Sequence, residues 1–320
     1  MKTKLLLMSL VYVAWAAGAG AADGFPERPM RLVVASAPGG GTDFVARATS
    51  DKFSEYLGKQ VVVDNRGGAG GLLGAQIVAR APADGYTLLL IFTNFTILPS
   101  LHANLPFDVV RDFDPVANVA STPLILVVHP SVPAKSVPEL IKLAQAKPGA
   151  LNYAAPGVGS LGHLTAELFK AMGNVDMVHV PYKGGGPSIA ALVANQVQLY
   201  FSTLPAAVGQ VRANRLRALG VTSAKRSGAA PDVPTITEQG MKGFEVVGWF
   251  GMFAPAKTPP AIIRKLNADI NKTLELKETR QRMLTNGVEA EGGPSRAFAK
   301  QVRDDVLKWS KVAARAGLKK

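Results

Sequence analysis

The chain has 320 residues, enough for two domains at the usual size of roughly 100 to 200 residues each. Its residues are 48% hydrophobic and 18% charged, which excludes a disordered protein, and the lack of cysteine excludes disulfides, thiol catalysis and cysteine-based metal sites. The net charge of +13 favours attraction of small anions over nucleic-acid binding, because the basic segment 264–320 has few interleaved aromatic residues.

The N-terminus has the pattern of an export signal. Lys2 and Lys4 precede an uncharged run, residues 5–22, that ends in small residues. We therefore predict a signal peptide over residues 1–22, cleaved near Ala21 or Ala22, and a periplasmic mature protein. A retained membrane anchor is the alternative, but the Ala- and Gly-rich second half of the run carries little transfer free energy.

The first elements of the mature chain form a βαβαβ series. The apolar run 30–36 predicts a strand, the Gly-rich segment 37–43 a tight loop, and the residues after it a helix that Thr42 or Asp43 can cap. Two further strands follow with a helix between them. This order implies a parallel sheet, and open α/β sheets place ligands at the carboxyl ends of such strands.

A second β/α series begins behind a strongly apolar strand at 122–129, and a long apolar strand at 244–253 follows it. If the first of these strands carries the chain out of one lobe and the second carries it back, two α/β lobes are joined by two hinge crossings with a cleft between them. The predicted organisation is the signal peptide 1–22, lobe 1 from 23–123 plus 250–320, and lobe 2 from 124–249.

Two Gly-rich loops, 37–43 and 156–163, offer backbone N–H groups at helix N-termini, where the helix dipole favours an anion. The first loop lacks the Lys-Ser/Thr ending of a nucleotide-binding P-loop. The second contains G-x-G-x-x-G from Gly157 to Gly162, with Asp176 behind it, as in dinucleotide-binding folds. An exported chain with this motif in its second lobe is a poor candidate for a nicotinamide or flavin, so we expect no cofactor.

Catalysis and metal binding have little support in the sequence. Ser160 and His163 are three residues apart at a helix start, which is poor geometry for a nucleophile and its base, and the G-x-S-x-G motif is absent. The four histidines show no metal-ligand spacing, so we expect no metal site. We expect a protein that is not an enzyme, with an exported hydrolase or lyase using Ser160 or His163 as the alternative.

An ordered set of motifs runs along the chain. It includes Ala37-Pro-Gly-Gly-Gly-Thr-Asp43, Val61-Val-Val-Asp-Asn-Arg66, Asp84-Gly-Tyr-Thr-Leu-Leu89, His179-Val-Pro-Tyr-Lys-Gly184 and Trp249-Phe-Gly251. With these motifs the chain resembles the TctC or Bug family, the substrate-binding proteins of tripartite tricarboxylate transporters. The resemblance implies a type II periplasmic-binding-protein fold, and a receptor that presents a carboxylate to integral membrane subunits of the TctA/TctB kind. We expect a monomer, and a ligand sensor for a signalling partner stays open.

The resemblance also implies that the two Gly-rich loops grip the ligand carboxylate. Members that bind amino acids often have an Asp after the strand matching residues 199–201, where this chain has Ser202 and Thr203. We therefore expect a di- or tricarboxylate or an aromatic acid without an α-amino group. The candidate ligand-binding residues are Ala37, Pro38, Gly39, Gly40, Gly41, Thr42, Asp43, Thr93, Asn94, Pro156, Gly157, Gly159, Ser160, His163, Lys183 and Ser202.

Overall fold

The computed structural model describes residues 24–315, so the predicted export signal lies outside the described residues. The strands are β1 (Met30–Val34), β2 (Val61–Asn65), β3 (Thr87–Phe92), β4 (Phe113–Val128), β5 (Asn152–Ala155), β6 (Val178–Pro181), β7 (Leu199–Thr203), β8 (Arg217–Val221), β9 (Val247–Pro255) and β10 (Glu289–Ala290).

The helices are α1 (Gly41–Leu57), α2 (Leu72–Ala79), α3 (Leu98–Leu101), α4 (Val137–Ala146), α5 (Leu161–Gly173), α6 (Gly185–Val193), α7 (Leu204–Arg212), α8 (Pro260–Glu275), α9 (Lys277–Thr285) and α10 (Ser295–Arg315). Within the described range, none of them combines the length and apolar character that crossing a membrane requires.

The strands form two sheets that share β4. In the first sheet the order is β2-β1-β3-β9-β4, with β10 also paired to β4. In the second, the far half of β4 pairs with β7 and β8, and β5 and β6 continue the sheet beyond β7. The early strands β1, β2 and β3 are parallel, and so are β5, β6 and β7, as the two predicted β/α series require. The carboxyl ends of both parallel sets therefore carry the loops that bound one cleft.

The two crossings between the sheets lie side by side. Strand β4 pairs with β9 as far as Pro123, and from Leu124 onward it pairs with β7. Thr222 is fully buried at this point, where its hydroxyl accepts a hydrogen bond from the Leu124 amide at 2.8 Å and donates one to the Val246 carbonyl at 2.6 Å. One side chain thus ties the outgoing strand to the returning segment. The lobe limits at 123/124 and 249/250 stay predictions.

A buried aromatic cluster supports the turn after β3. Phe95 is fully buried, packs edge to face on Phe113 with ring centroids 5.0 Å apart, and contacts Phe253 at 4.9 Å. Burying one such ring contributes about 2–3 kcal/mol. This aromatic packing therefore holds the short 3-10 turn Thr93–Thr96 in place, and the turn positions Asn94 in the wall of the cleft.

Candidate ligand-binding cleft

A small cavity of about 50 Å³ lies between the loops of the two sheets. A buried water needs about 10–15 Å³ on this scale, so the cavity has room for a few waters. The walls combine apolar and hydrogen-bonding groups from both sheets. The lining residues are Ala35, Ser36, Gly41, Thr42, Gly70, Gly71, Phe92, Asn94, Leu124, Pro156, Gly162, Lys183, Gly184, Gly185, Tyr200, Phe201 and Thr203.

Five helices of eight residues or more direct their N-termini at this cavity. Helices α1 and α2 begin there from the first sheet, and α5, α6 and α7 begin there from the second. Each contributes a residue of its cap or first turn to the wall. The first N–H groups of a helix have no partner within the helix, and the helix dipole adds partial positive charge. The cavity is therefore built to surround an anion with N–H donors.

The charged and titratable side chains of the wall also favour an anionic ligand. Among the lining residues Lys183 is the one formally charged group, and there is no carboxylate. Tyr200 is buried, and burial raises the pKa of its hydroxyl, so the group stays protonated and can donate a hydrogen bond. A ligand ammonium would find no compensating negative charge in this wall.

Asp43 organises the first Gly-rich loop. Its carboxylate accepts hydrogen bonds from the Gly39 amide, the Arg47 Nε and the Asn65 Nδ2, each at 3.0 Å. The prediction that Thr42 or Asp43 caps α1 is wrong, because the helix begins at Gly41 and its extended N-cap, Gly40, has no side-chain cap. The carboxylate lies in the first turn and reaches back to the loop. Its charge is balanced by Arg47.

Asn94 and Thr93 occupy different positions in the turn after β3. Asn94 lines the cavity, and its Nδ2 donates to the Gly70 carbonyl at 2.8 Å, which aligns two loops of the first sheet. Its Oδ1 is buried with no hydrogen-bond partner among the described residues. Thr93 lies behind the wall, where its hydroxyl accepts from the Trp249 amide at 2.6 Å.

The second Gly-rich loop uses Ser160 and His163 structurally. The Ser160 hydroxyl accepts from the His163 backbone amide at 3.3 Å and so caps α5. The His163 Nδ1 accepts from the Gly159 amide at 2.9 Å. The imidazole is therefore directed at the loop backbone and not at the Ser160 hydroxyl, so the pair does not form a nucleophile and base. Within residues 24–315, moreover, no group of three or more potential side-chain ligands could hold a metal ion.

The loops of the two lobes touch through glycine backbone at the rim of the cleft. A Cβ built on Gly40 would lie 3.5 Å from the Gly185 amide, and one on Gly186 would overlap the Pro38 carbonyl oxygen. At the other end of the rim, a Cβ on Gly157 would lie 3.0 Å from the Gly70 amide. Side chains at these positions would hold the two rims apart.

The structure thus separates the predicted site residues into three groups. Gly41, Thr42, Asn94, Pro156 and Lys183 line the cavity. Pro38, Gly39, Gly40, Gly157 and Gly159 lie where the two lobes meet, with Ala37 next to them against Gly184. Asp43, Thr93, Ser160, His163 and Ser202 lie behind the wall and hold the loops.

Sequence reasoning missed several wall residues. Thr203 lines the cavity, whereas Ser202 is fully buried and its hydroxyl donates to the Thr203 carbonyl. Pro205 gave a signal, since proline favours the first turn of a helix and so makes Thr203 the N-cap of α7. The other missed residues are Ala35, Ser36, Gly70, Gly71, Phe92, Leu124, Gly162, Gly184, Gly185, Tyr200 and Phe201.

The fold and the cleft define a two-lobed α/β periplasmic binding protein. Residues 45–318 match the tripartite tricarboxylate transporter family receptor, TctC, and the chain belongs to this family. It is therefore a solute receptor of a non-enzymatic family of periplasmic binding proteins, as the motif resemblance predicted. The hydrolase or lyase alternative is not supported.

Relatives from the family cover nearly the whole chain. Protein BugT of Bordetella pertussis is 36% identical over 324 residues, which span 99% of this chain and 98% of that protein. The solved periplasmic binding protein BugD is 34% identical with a TM-score of 0.89, covering 92% of this chain and 99% of BugD. This likeness confirms the predicted periplasmic-binding-protein fold.

Two solved relatives from Rhodopseudomonas palustris contain carboxylates. One, solved with adipate, is 37% identical with a TM-score of 0.89 and covers 92% of this chain and 98% of that one. The other, MatC with bound malate, is 32% identical with a TM-score of 0.86 and covers 90% of this chain and 99% of that one. Both ligands are dicarboxylates.

Proposed function

We propose that this chain is an exported receptor for a small organic acid without an α-amino group, which it encloses between its two lobes and presents to integral membrane transporter subunits. The observation that carries the proposal is the convergence of five helix N-termini on one cavity whose wall contains Lys183 and no carboxylate. Oriented N–H donors at helix N-termini favour a carboxylate.

The wall chemistry narrows the ligand class. An amino acid would bring an ammonium group into a cavity lined by N–H donors, hydroxyls and one lysine, and desolvating that charge without a partner is costly. Phe92, Leu124, Pro156 and Phe201 supply apolar surface for a carbon skeleton. An aliphatic di- or tricarboxylate or an aromatic acid fits this combination, and adipate and malate in two relatives support it.

The proposed mechanism is a population shift between open and closed lobes. The cavity has a volume of only about 50 Å³ in this conformation, with the rims in contact, so a ligand must enter when the lobes are apart. Contacts to both lobes then favour the closed form. We expect the transporter partner, of the TctA/TctB kind that the family name implies, to recognise that form. We propose a monomer with no nucleic-acid partner.

The proposed function includes export and cleavage of the signal peptide. Cleavage near Ala21 or Ala22 removes Lys2 and Lys4 and leaves a mature periplasmic chain that begins at Ala22 or Asp23. The intact mass of protein recovered from the periplasm would locate the cleavage site. A chain that keeps residues 1–22 would contradict the cleaved signal.

The ligand is best found with a thermal-shift panel of di- and tricarboxylates, aromatic acids and amino acids, followed by calorimetric titration. A ligand that binds only the folded state stabilises it by RT ln(1 + [L]/Kd), so the melting temperature rises with the logarithm of the ligand concentration once that exceeds Kd. We expect carboxylates to do so and to be recovered unchanged by native mass spectrometry. Affinity for glutamate or aspartate equal to that of the best simple carboxylate would contradict the proposed ligand class.

A further inference from the structure

Behind the second Gly-rich loop lies a stack of three rings, which we call the histidine stack: Tyr153, His163 and His179. The His163 and His179 rings are stacked at 4.1 Å and the Tyr153 and His179 rings at 5.1 Å. His163 is 5% exposed, and the Nε2 of His179 is buried without a hydrogen-bond partner among the described residues. The stack is therefore closed to solvent at its centre, directly below the loop.

Gly159 is held from two sides. Its amide donates to the Nδ1 of His163 at 2.9 Å, while its Cα face lies against Leu101 of the other lobe, where a Cβ would overlap the leucine side chain. Its φ of +74° is in the left-handed region that favours glycine. The orientation of the peptide that meets the other lobe thus depends on an imidazole nitrogen that must accept a hydrogen bond.

We propose that His163 is a positioning residue for lobe closure, which keeps the Gly157–Ser160 segment in its contact with Gly70 and Leu101 only as the neutral imidazole protonated at Nε2. A proton on Nδ1 would face the Gly159 N–H, and two donors cannot share a hydrogen bond. Protonation of this ring therefore turns the loop away from the other lobe. The inference rests on the proposed function, because it assigns acid-induced opening, and hence ligand release, to the same cleft.

The groups around His163 favour its neutral form. Glu167 accepts hydrogen bonds from Tyr153 at 2.6 Å and from Lys170 at 3.0 Å, and its Oε1 lies 4.0 Å from the His163 Nε2. Burial lowers the pKa of His163, the nearby Glu167 charge opposes this, and the Lys170 charge adds to it. Asp176 lies 3.9 Å from Lys170 at the edge of this network, and His179 faces the ring from β6. Because Tyr153 and Lys170 already engage Glu167, its charge is largely compensated.

Nuclear magnetic resonance of protein labelled with ¹⁵N at histidine and glycine tests the positioning without any ligand. We expect His163 to be the Nε2–H tautomer at pH 7.5 and to titrate below the range of free histidine, with the Gly159 amide shift following the same midpoint. A proton on Nδ1 at pH 7.5, or a Gly159 amide that ignores the titration of His163, would overturn the proposal.

Calorimetric titration with adipate and with malate, from pH 7.5 to pH 4.5, tests the link to binding. His163→Asn is the matched variant, because an Asn oxygen can replace Nδ1 as an acceptor and does not titrate. Both acids also take up protons in this range, so the ratio of wild-type to variant affinity is the informative quantity. We expect a ratio near one at pH 7.5 that falls roughly tenfold by pH 4.5, the equivalent of one lost hydrogen bond.

Two more variants separate positioning from packing. His163→Phe keeps the ring stack but removes the acceptor, and we expect weaker binding at every pH. His179→Phe leaves the Gly159 contact intact, so the pH dependence should persist. A ratio that stays constant with pH in the wild type against His163→Asn overturns the proposal. If neither acid binds the wild type or any variant, adipate and malate are excluded as ligands, while the resonance experiment still decides the role of His163.

Discussion

The glycine contact at the rim of the cleft gives a sharp test of closure. Gly186 lies in the first turn of α6 with a backbone conformation that alanine also adopts, so Gly186→Ala introduces no backbone strain. In the closed conformation its methyl group would overlap the Pro38 carbonyl oxygen and lie 3.3 Å from the Pro38 and Gly39 carbonyl carbons. All of these are backbone atoms of the opposite lobe.

The opposing loop has little freedom to yield. The Gly39 amide is bonded to Asp43, and the same carboxylate is fixed by Arg47 and Asn65. Overpacking a rigid contact costs about 1–3 kcal/mol, and this cost falls on the closed form alone. Because a tenfold change in affinity corresponds to about 1.4 kcal/mol, Kd for the ligand should rise roughly 5- to 150-fold.

Gly209→Ala is the matched control, since Gly209 lies inside α7 and, apart from its chain neighbours and the helix's own backbone, no described atom lies within 4 Å of the position that the alanine methyl group would take. Calorimetric titration should show wild-type affinity for the control and weakened affinity for Gly186→Ala. The melting temperature without ligand should not fall in either variant, because the open form has no overlap. A folded Gly186→Ala protein with Kd within twofold of the control would refute the idea that these rims meet in the bound state.

Four further predictions concern the cleft, the hinge and pH. Thr42→Pro removes an amide and a hydroxyl from the wall and should raise Kd at least about tenfold, whereas unchanged affinity in the folded variant would remove this loop from the site. Lys183→Met should weaken binding less, by about threefold, because the Lys183 side chain is exposed. The substitution should also flatten the salt dependence of Kd measured by titration. An unaltered salt dependence would contradict a role of the Lys183 charge in attracting the ligand. Thr222→Val leaves two backbone groups unpaired at the crossings and should lower the free energy of unfolding, measured with urea, by about 1–3 kcal/mol. An unchanged free energy of unfolding would show that water can replace the hydroxyl and would contradict the prediction. Burial, reinforced by the neighbouring His163, lowers the pKa of His179 to about 4. Between pH 6.5 and 4 the unfolded state therefore binds more protons than the folded state, and the free energy of unfolding falls as pH falls, by at most about 1.4 kcal/mol per pH unit. His179→Phe should reduce this pH dependence of stability, and an equal slope in the variant would contradict the assignment.

The sequence allowed the loops to be located because their chemistry is local. Glycine runs between an apolar strand and an amphipathic helix predict tight turns with unpaired amides, and both loops, 37–43 and 156–163, are at the edge of the cleft in the structure. The ordered motifs also sufficed to recognise the family and hence the fold. Neither inference needed contacts between distant residues.

The roles inside the loops depended on such contacts and could not be read from the sequence. Asp43 stands in the first Gly-rich loop as a ligand contact would, but Arg47 and Asn65 engage its carboxylate. At the end of β7, a shift of one position decides which side chain faces the cavity: the sequence predicts Ser202, but Thr203 lines the wall. The start of α7 directly after the strand sets that register, because no loop residue separates the two elements.

A rim made of glycine also bears on which state the empty receptor prefers. Each buried methylene contributes about 0.8 kcal/mol, and contacts such as Gly186 with Pro38 or Gly157 with Gly70 bury almost no side-chain surface. In the proposed mechanism these backbone contacts therefore permit closure without stabilising it. A ligand carboxylate bonded to helix N-termini of both lobes would add free energy to the closed form alone, so occupancy and closure are coupled. A transporter that recognises only the closed form then engages the loaded receptor.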